Sequence, residues 1–181
     1  MSLSLVLLVA AIQGVTEFLP VSSSGHLVLI PVMTAHSYQG QTIDVAAHVG
    51  TLAAVLVYLR RDIFNIATAM YNRPASAQQA NHRQLGFMII GATIPLALAG
   101  FVVNYAEWHW LTLVTTIAWT NIAFAGLLWV ADRFSGQLHG LADIRWSAAM
   151  GIGLIQICAL IPGASRSGVT MTAARFFGCN R

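Results

Sequence analysis

The sequence predicts an all-α polytopic membrane protein. Transmembrane helices are combined with two re-entrant helix-turn-helix hairpins in an inverted repeat whose second copy is incomplete. Three observations predict this class. The composition is 57% hydrophobic and 8% charged, against roughly 25% charge in an average soluble domain. The apolar runs come in two lengths, some near the roughly 20 residues that cross a bilayer as a helix and others about half that. Finally, a serine-rich turn carrying a proline interrupts the short runs twice, as LPVSSSG at 19–25 and IPGASRSG at 161–168.

The elements follow in chain order within one integral membrane domain, 1–181. Residues 3–12 are apolar but short of a span, and a second short run covers 27–35. Between them lies QGVTEFLPVSSSGH, 13–26. Two half-length segments around a polar turn predict a re-entrant hairpin over 1–42, since irregular backbone at membrane depth must be covered by protein or line a watery cavity. Three spans are expected within 43–131, at 43–59, 85–103 and 111–131. Ala46, Ala47, Gly50, Ala53 and Ala54 allow close helix approach in the first, and Pro95 predicts a kink in the second.

All nine basic residues are arginines. Arg60, Arg61, Arg73 and Arg83 fall in the polar stretch 60–84, and Arg133 and Arg145 in 132–145, so six lie on one side, which the positive-inside rule makes cytoplasmic. Tyr105, Trp108 and Trp110 read as an aromatic belt on the other side. This use of positive charge, with no basic patch interleaved with aromatics, excludes nucleic-acid binding. The arginine-free start lacks the n-region of a cleavable signal and is expected to remain in the mature protein. Cys158 and Cys179 have no metal-type spacing and read as packing residues.

Residues 146–161 form a further apolar run, broken at Pro162-Gly163, and 169–177 resume as a short half-helix; together they make a second hairpin over 146–181. Each hairpin has a glutamine upstream of its turn, Gln13 and Gln156. If the first hairpin enters from outside, three spans place the second at the cytoplasmic side, and the two tips meet near the midplane. If 146–161 instead spans fully, both turns lie at the outer face. The turns converge in either case.

An ionised carboxylate at bilayer depth costs roughly 2.5–3.5 kcal/mol even on insertion scales, so Glu17 needs a partner, a metal or a wet cavity. Gln13 and Glu17 are one helical turn apart and share a face. They make a candidate metal pair, with phosphate completing the shell of a hard cation; a buried hydrogen-bonded pair is the plainer alternative. Ser22, Ser23 and Ser24 are candidate nucleophiles or phosphate donors, and His26 a candidate base, acid or phosphoryl acceptor. Arg166, framed by Gly163, Ser165, Ser167 and Gly168, has the makings of a phosphate cradle at a helix N-terminus; the alternative is an arginine snorkelling to the interface. His36, His48, His82, His109 and His139 are scattered and receive no chemistry. Asp44 reads as a helix N-cap rather than a ligand, and Asp62, Asp132 and Asp143 as members of solvated loops. Acid, hydroxyl, imidazole and guanidinium within a bilayer suit an anionic substrate with an apolar tail, a lipid phosphate.

At QGVTEFLPVSSSGH and PGASRSG the sequence resembles the undecaprenyl-diphosphate phosphatase family, the bacitracin-resistance type of bacterial membrane phosphatase. The resemblance implies hydrolysis of undecaprenyl diphosphate to the monophosphate carrier used in peptidoglycan synthesis, in a multi-pass protein of the bacterial inner membrane. It also implies dependence on Mg²⁺ or Ca²⁺, with Gln13 and Glu17 as the metal or acid-base element. Glu17, Ser23, His26 and Arg166 would act at the reacting phosphate. Ser22, Ser24, Gly163, Ser165, Ser167 and Gly168 would bind the diphosphate beside Arg166. Members of that family continue through further helices, so a truncated or partial form, inactive or completed by a partner chain such as a homodimer mate, is an expectation here.

Two other readings use the same residues. The type-2 phosphatidic acid phosphatase superfamily shares Ser-Gly-His and Ser-Arg signatures, but its Lys-x6-Arg-Pro element is impossible without lysine, and no histidine follows Arg166. A lipid-phosphate transporter or flippase would share the broken helices and Arg166 but would not need the serine-histidine cluster.

Overall fold

A computed structural model of the chain describes residues 2–34, 38–105, 113–136, 140 and 144–180. Those residues are helical with no strand among them, in the order α1 (Leu3–Thr16), α2 (Ser23–Thr34), α3 (Gln41–Tyr58), α4 (Arg60–Tyr71), α5 (Ala77–Tyr105), α6 (Val114–Phe134), α7 (Trp146–Ile155), a 3-10 turn (Gln156–Leu160) and α8 (Arg166–Phe176).

α1 begins at Ser2, whose hydroxyl accepts the Leu5 N–H, and ends at Glu17. Its 14 residues extend about 21 Å at 1.5 Å per residue, short of a roughly 30 Å hydrocarbon core. α2 has 12 residues and folds back on α1. The contact buries Leu5, Val9, Leu27 and Ile30, with Ile12 of α1 and Ile43 and Ala47 of α3 packed against them. The break between the short helices is tighter than the polar stretch 13–26, because α1 continues through Gln13 to Thr16 and α2 already starts at Ser23.

α3, α5 and α6, of 18, 29 and 21 residues, are long and apolar enough to cross a membrane, matching the expected spans; residues 111 and 112 of the third lie outside the described residues. The only buried residues of these helices are Thr51 in α3, Gly86 and Met88 in α5, and Ile117 and Ala131 in α6. Large side chains such as Leu98, Phe101, Trp119 and Ile122 are exposed, as lipid-facing helices require. The chain is a multi-pass membrane protein.

The stretch 60–84 is not a polar loop. It holds α4 and the first turns of α5, with Asp62 in the first turn of α4, where a carboxylate favours the helix dipole. Ile66, Ala69 and Met70 recur at helical spacing on the more covered face of α4, with Ala69 buried and the other two half-buried. Met70 packs over Gly86 of α5, where any Cβ would collide with its sulfur. Similarly, a Cβ on Gly153 of α7 would strike the backbone of Ala92 in α5, so the contact between those helices depends on a residue without a side chain.

Other expectations need correction. Asp44 is not an N-cap: α3 is capped by the Gly40 backbone, with no side-chain cap bond. The Asp44 carboxylate instead accepts from the Tyr38 hydroxyl and from Gln39 Nε2. This hydrogen bond, with desolvation and the carboxylate charge, pushes the Tyr38 phenol above its ordinary value. Asp132 belongs to the last turn of α6 rather than a solvated loop, and its Oδ1 lies 3.6 Å from Nε of Arg175. That buried arginine also donates to the carbonyls of Cys179, Asp132 and Ser135, tying the end of α8 to the end of α6. Cys179 is buried, but Cys158 is exposed and so is not a packing residue of the chain's interior. Trp108, Trp110, His36, His109, His139 and Asp143 lie outside the described residues; Tyr105 is exposed at the end of α5.

Candidate active site

The two polar turns fold into one local design. In the first, Ser22 Oγ accepts the Gly25 N–H at 3.2 Å and lies 3.1 Å from Ser24 Oγ. In the second, Ser165 Oγ accepts the Gly168 N–H at 3.3 Å and lies 2.9 Å from Ser167 Oγ. The shared sequence is Ser-x-Ser-Gly. Its first hydroxyl satisfies an amide that the helix start leaves unpaired, so each turn launches a helix with serine hydroxyls clustered at its N-terminus.

The turns meet. Ser167 Oγ donates to the Leu19 carbonyl at 3.3 Å, and a Cβ on Gly168 would stand 3.2 Å from the Pro20 carbonyl oxygen. Gly163 closes the second turn at φ 93, a left-handed conformation that glycine adopts without strain. It also lies directly against the Ile117 carbonyl of α6, leaving no room for a Cβ.

Between the turns lies a cleft of about 450 Å³. Glu17, Ser22, Ser23 and Ser24 line one wall, and Ser165, Arg166, Ser167 and Thr170 the other, with His48 and Gln156 completing it. Glu17 Oε2 is the hub, receiving hydrogen bonds from Gln13 Nε2 and Ser23 Oγ, both at 2.9 Å. His48 Nε2 stands 3.8 Å from the same oxygen. Arg166, the first residue of α8, is exposed to the cleft and in no ion pair among the described residues. Two helix N-termini and the Arg166 guanidinium around serine hydroxyls suit an anion, because unpaired N–H groups and the helix dipole both favour negative charge.

The structure thus brings Glu17, Ser22, Ser23, Ser24, Ser165, Arg166 and Ser167 to one cavity. Gln13 is fully buried behind Glu17 and acts on it by hydrogen bond rather than lining the cleft. Gly163 and Gly168 shape the second turn from beneath. His26 is exposed on α2, its Nδ1 2.7 Å from the Ser22 carbonyl, and is not among the lining side chains. His48 and Thr170 were missed by sequence reasoning. For His48 the available signal was an imidazole inside a span, where an ionisable group is functional by default; for Thr170 there was none.

The oxygen donors fit a divalent cation completed by substrate. No group of three or more His, Cys, Asp and Glu side chains converges among the described residues, so these side chains alone do not close a coordination shell. Mg²⁺ commonly takes one or two carboxylates plus phosphate oxygens, and Glu17 supplies one. Gln13 Oε1, one turn away, is buried without a hydrogen-bond partner, an orphaned acceptor of the kind that a cation satisfies.

Comparison with known proteins agrees with this geometry. Residues 6–181 match the family described as bacitracin resistance protein BacA. The chain is 46% identical over 182 residues to the undecaprenyl-diphosphatase of Ruegeria pomeroyi, covering 100% of this chain and 68% of that protein. It is 47% identical to the undecaprenyl-diphosphatase of Teredinibacter turnerae, covering 69% of it, and 41% identical to undecaprenyl-diphosphatase 1 of Pseudoalteromonas translucida, covering 68%. The chain thus spans about two thirds of each relative's length and carries both serine turns that build the cleft, and it belongs to the bacitracin resistance protein BacA family.

Proposed function

We propose that this chain hydrolyses undecaprenyl diphosphate to undecaprenyl phosphate and inorganic phosphate, in the bacterial inner membrane. The observation that carries the reading is the Ser23 hydroxyl donating to Glu17 Oε2 at 2.9 Å in the cleft that Arg166 also lines. A serine held against a carboxylate is an activated nucleophile, and the guanidinium matches the charge of a terminal phosphate. Family membership and the names of the relatives support the same reaction.

In this reading Arg166, Ser165, Ser167 and the starts of α2 and α8 hold the diphosphate. Attack of the Ser23 hydroxyl on the terminal phosphorus forms one P–O bond as the bond to the bridging oxygen breaks and the lipid monophosphate leaves; water then attacks the phosphoserine, breaking the Ser23 O–P bond, so that inorganic phosphate leaves and the hydroxyl is restored. Glu17 takes the proton of the attacking hydroxyl, and Gln13 fixes the carboxylate from behind. Arg166 stabilises charge on the equatorial oxygens. A divalent cation, Mg²⁺ or Ca²⁺, held at Glu17 with Gln13 would neutralise further phosphate charge. The short hairpins α1–α2 and α7–α8 are re-entrant and related as an inverted repeat, a reading supported by their helix lengths and the matching Ser-x-Ser-Gly caps.

The test is phosphate release from a polyprenyl diphosphate by purified protein in detergent, with Mg²⁺ and with chelator. Arg166→Ala and Glu17→Ala are each expected to lower kcat by roughly 10²–10³-fold or more, and chelator to abolish release. Unchanged release in both variants would overturn the assignment. Lipid diphosphate bound but never hydrolysed would favour a carrier.

A further inference from the structure

α4 follows the spanning helix α3 after a single residue, Leu59. The 18 residues of α3 extend about 27 Å, close to the roughly 30 Å of a hydrocarbon core, so the first turn of α4 stands at the bilayer surface. Its charges are segregated by face. Ile66 and Met70 pack on Gly86 of α5. Asp62 is the only acid in 60–84, against four arginines, and it lines a cavity against α5 with Gln78, Asn81 and His82. Away from that cavity, Arg60, Arg61, Phe64 and Asn65 line a shallow groove of about 460 Å³ that contains no carboxylate. Arg60 and Phe64, like Arg61 and Asn65, are four residues apart and so neighbours along the helix surface. Arg60 Nη1 donates to the Val57 carbonyl at 2.8 Å, which holds the guanidinium at the end of α3 with its other N–H groups unused by that bond. Neither arginine is in an ion pair among the described residues, and Phe64 is 67% exposed.

We infer that this groove binds an anionic phospholipid of the leaflet that meets α4, with Arg60 and Arg61 on its phosphate. A guanidinium presents paired donors that match phosphate oxygens, and the Asn65 amide supplies a further donor and acceptor for headgroup oxygens. The exposed Phe64 ring lies beside them, where the acyl chains begin. Two arginines without a carboxylate repel the cationic end of a zwitterionic headgroup, so a lipid of net negative charge is selected. Clustered arginines next to the cytoplasmic end of a spanning helix attract such lipids, and the positive-inside rule places this end in the cytoplasm. A free phosphate would meet the same guanidinium groups but would leave Phe64 uncovered. The inference is independent of the reaction proposed for the cleft.

The test is native mass spectrometry of the full chain, purified in neutral detergent with an equimolar mixture of phosphatidylglycerol and phosphatidylcholine, counting each lipid retained. Wild type is expected to retain phosphatidylglycerol preferentially. Arg60→Gln combined with Arg61→Gln should lower that preference roughly 20-fold, on about fivefold per arginine at an anionic lipid surface. Arg60→Lys combined with Arg61→Lys keeps the charge and should cost only about threefold, which separates loss of the lipid from loss of the fold. Arg73→Gln combined with Arg83→Gln removes the same charge outside the groove and should cost less than about twofold. Each combination is also made with Arg166→Ala, so that lipid held in the cleft is not counted as lipid on α4. Equal retention of the two lipids by wild type, a preference unchanged by the Arg60 and Arg61 glutamines, or one abolished by Arg166→Ala alone would each overturn the inference. Equal losses from the two glutamine pairs would show diffuse surface charge rather than a site, and would overturn it as well. Displacement of the lipid by equimolar inorganic phosphate would reassign the groove to a free anion and sink the lipid assignment.

Discussion

Gly163 has little freedom to change. An alanine there would have to hold φ near 93 and place its Cβ against the Ile117 carbonyl. Strain of this kind costs on the order of 1–3 kcal/mol, and the clash adds to it. Gly163→Ala is therefore expected to lower the thermal midpoint clearly, whereas Ser165→Ala, which removes one helix cap, should cost about 1 kcal/mol; differential scanning fluorimetry in detergent compares them. Equal, small shifts would show that the second turn is not held as described. The serines, Glu17 and Arg166 were legible because polar residues stand out in an apolar run. His48 was not, because its meaning depends on Glu17, which belongs to another helix.

At the level of elements, the half-length runs became α1, α2, α7 and α8, with breaks where the prolines and serines indicated. From the sequence alone 60–71 is simply part of a polar stretch, because its charge hides a face of Ile66, Ala69 and Met70 that only α5 makes useful. The second hairpin is anchored by Arg175, 5% exposed, whose guanidinium caps carbonyls at the ends of both α6 and α8. The Asp132 carbonyl is of the kind that a helix end leaves unpaired, and the Cys179 carbonyl belongs to the turn that follows α8. Arg175→Ala would remove the donor from these carbonyls, and the expected cost is roughly 1–3 kcal/mol, the range for buried polar groups left unsatisfied. Arg175→Lys should recover little, since an ammonium cannot reproduce a planar fork of donors. Full recovery of thermal stability by lysine would show that charge alone, not fork geometry, holds the junction.

For the molecule as a whole, Arg60, Arg61, Arg73 and Arg83 cluster around α4 and the start of α5, and the positive-inside rule places that region in the cytoplasm. Single cysteines at 72–76, in a background lacking Cys158 and Cys179, are expected to react with a membrane-impermeant maleimide only after the cells are opened. Labelling from outside would reverse the topology and with it the side from which lipid diphosphate reaches the cleft.

The sequence by itself determined the membrane class, the three spans, the half-length helices and the chemical inventory of the two turns. Each of these depends on local composition and on periods of a few residues. Only the tertiary structure decided that Ser-x-Ser-Gly at 22–25 and at 165–168 face one cavity, that His48 joins Glu17 there, and that Arg175 locks α8 to α6. Contacts between residues far apart in the chain are set by how helices pack, and small residues such as Gly153 and Gly163 set that packing by what they leave out.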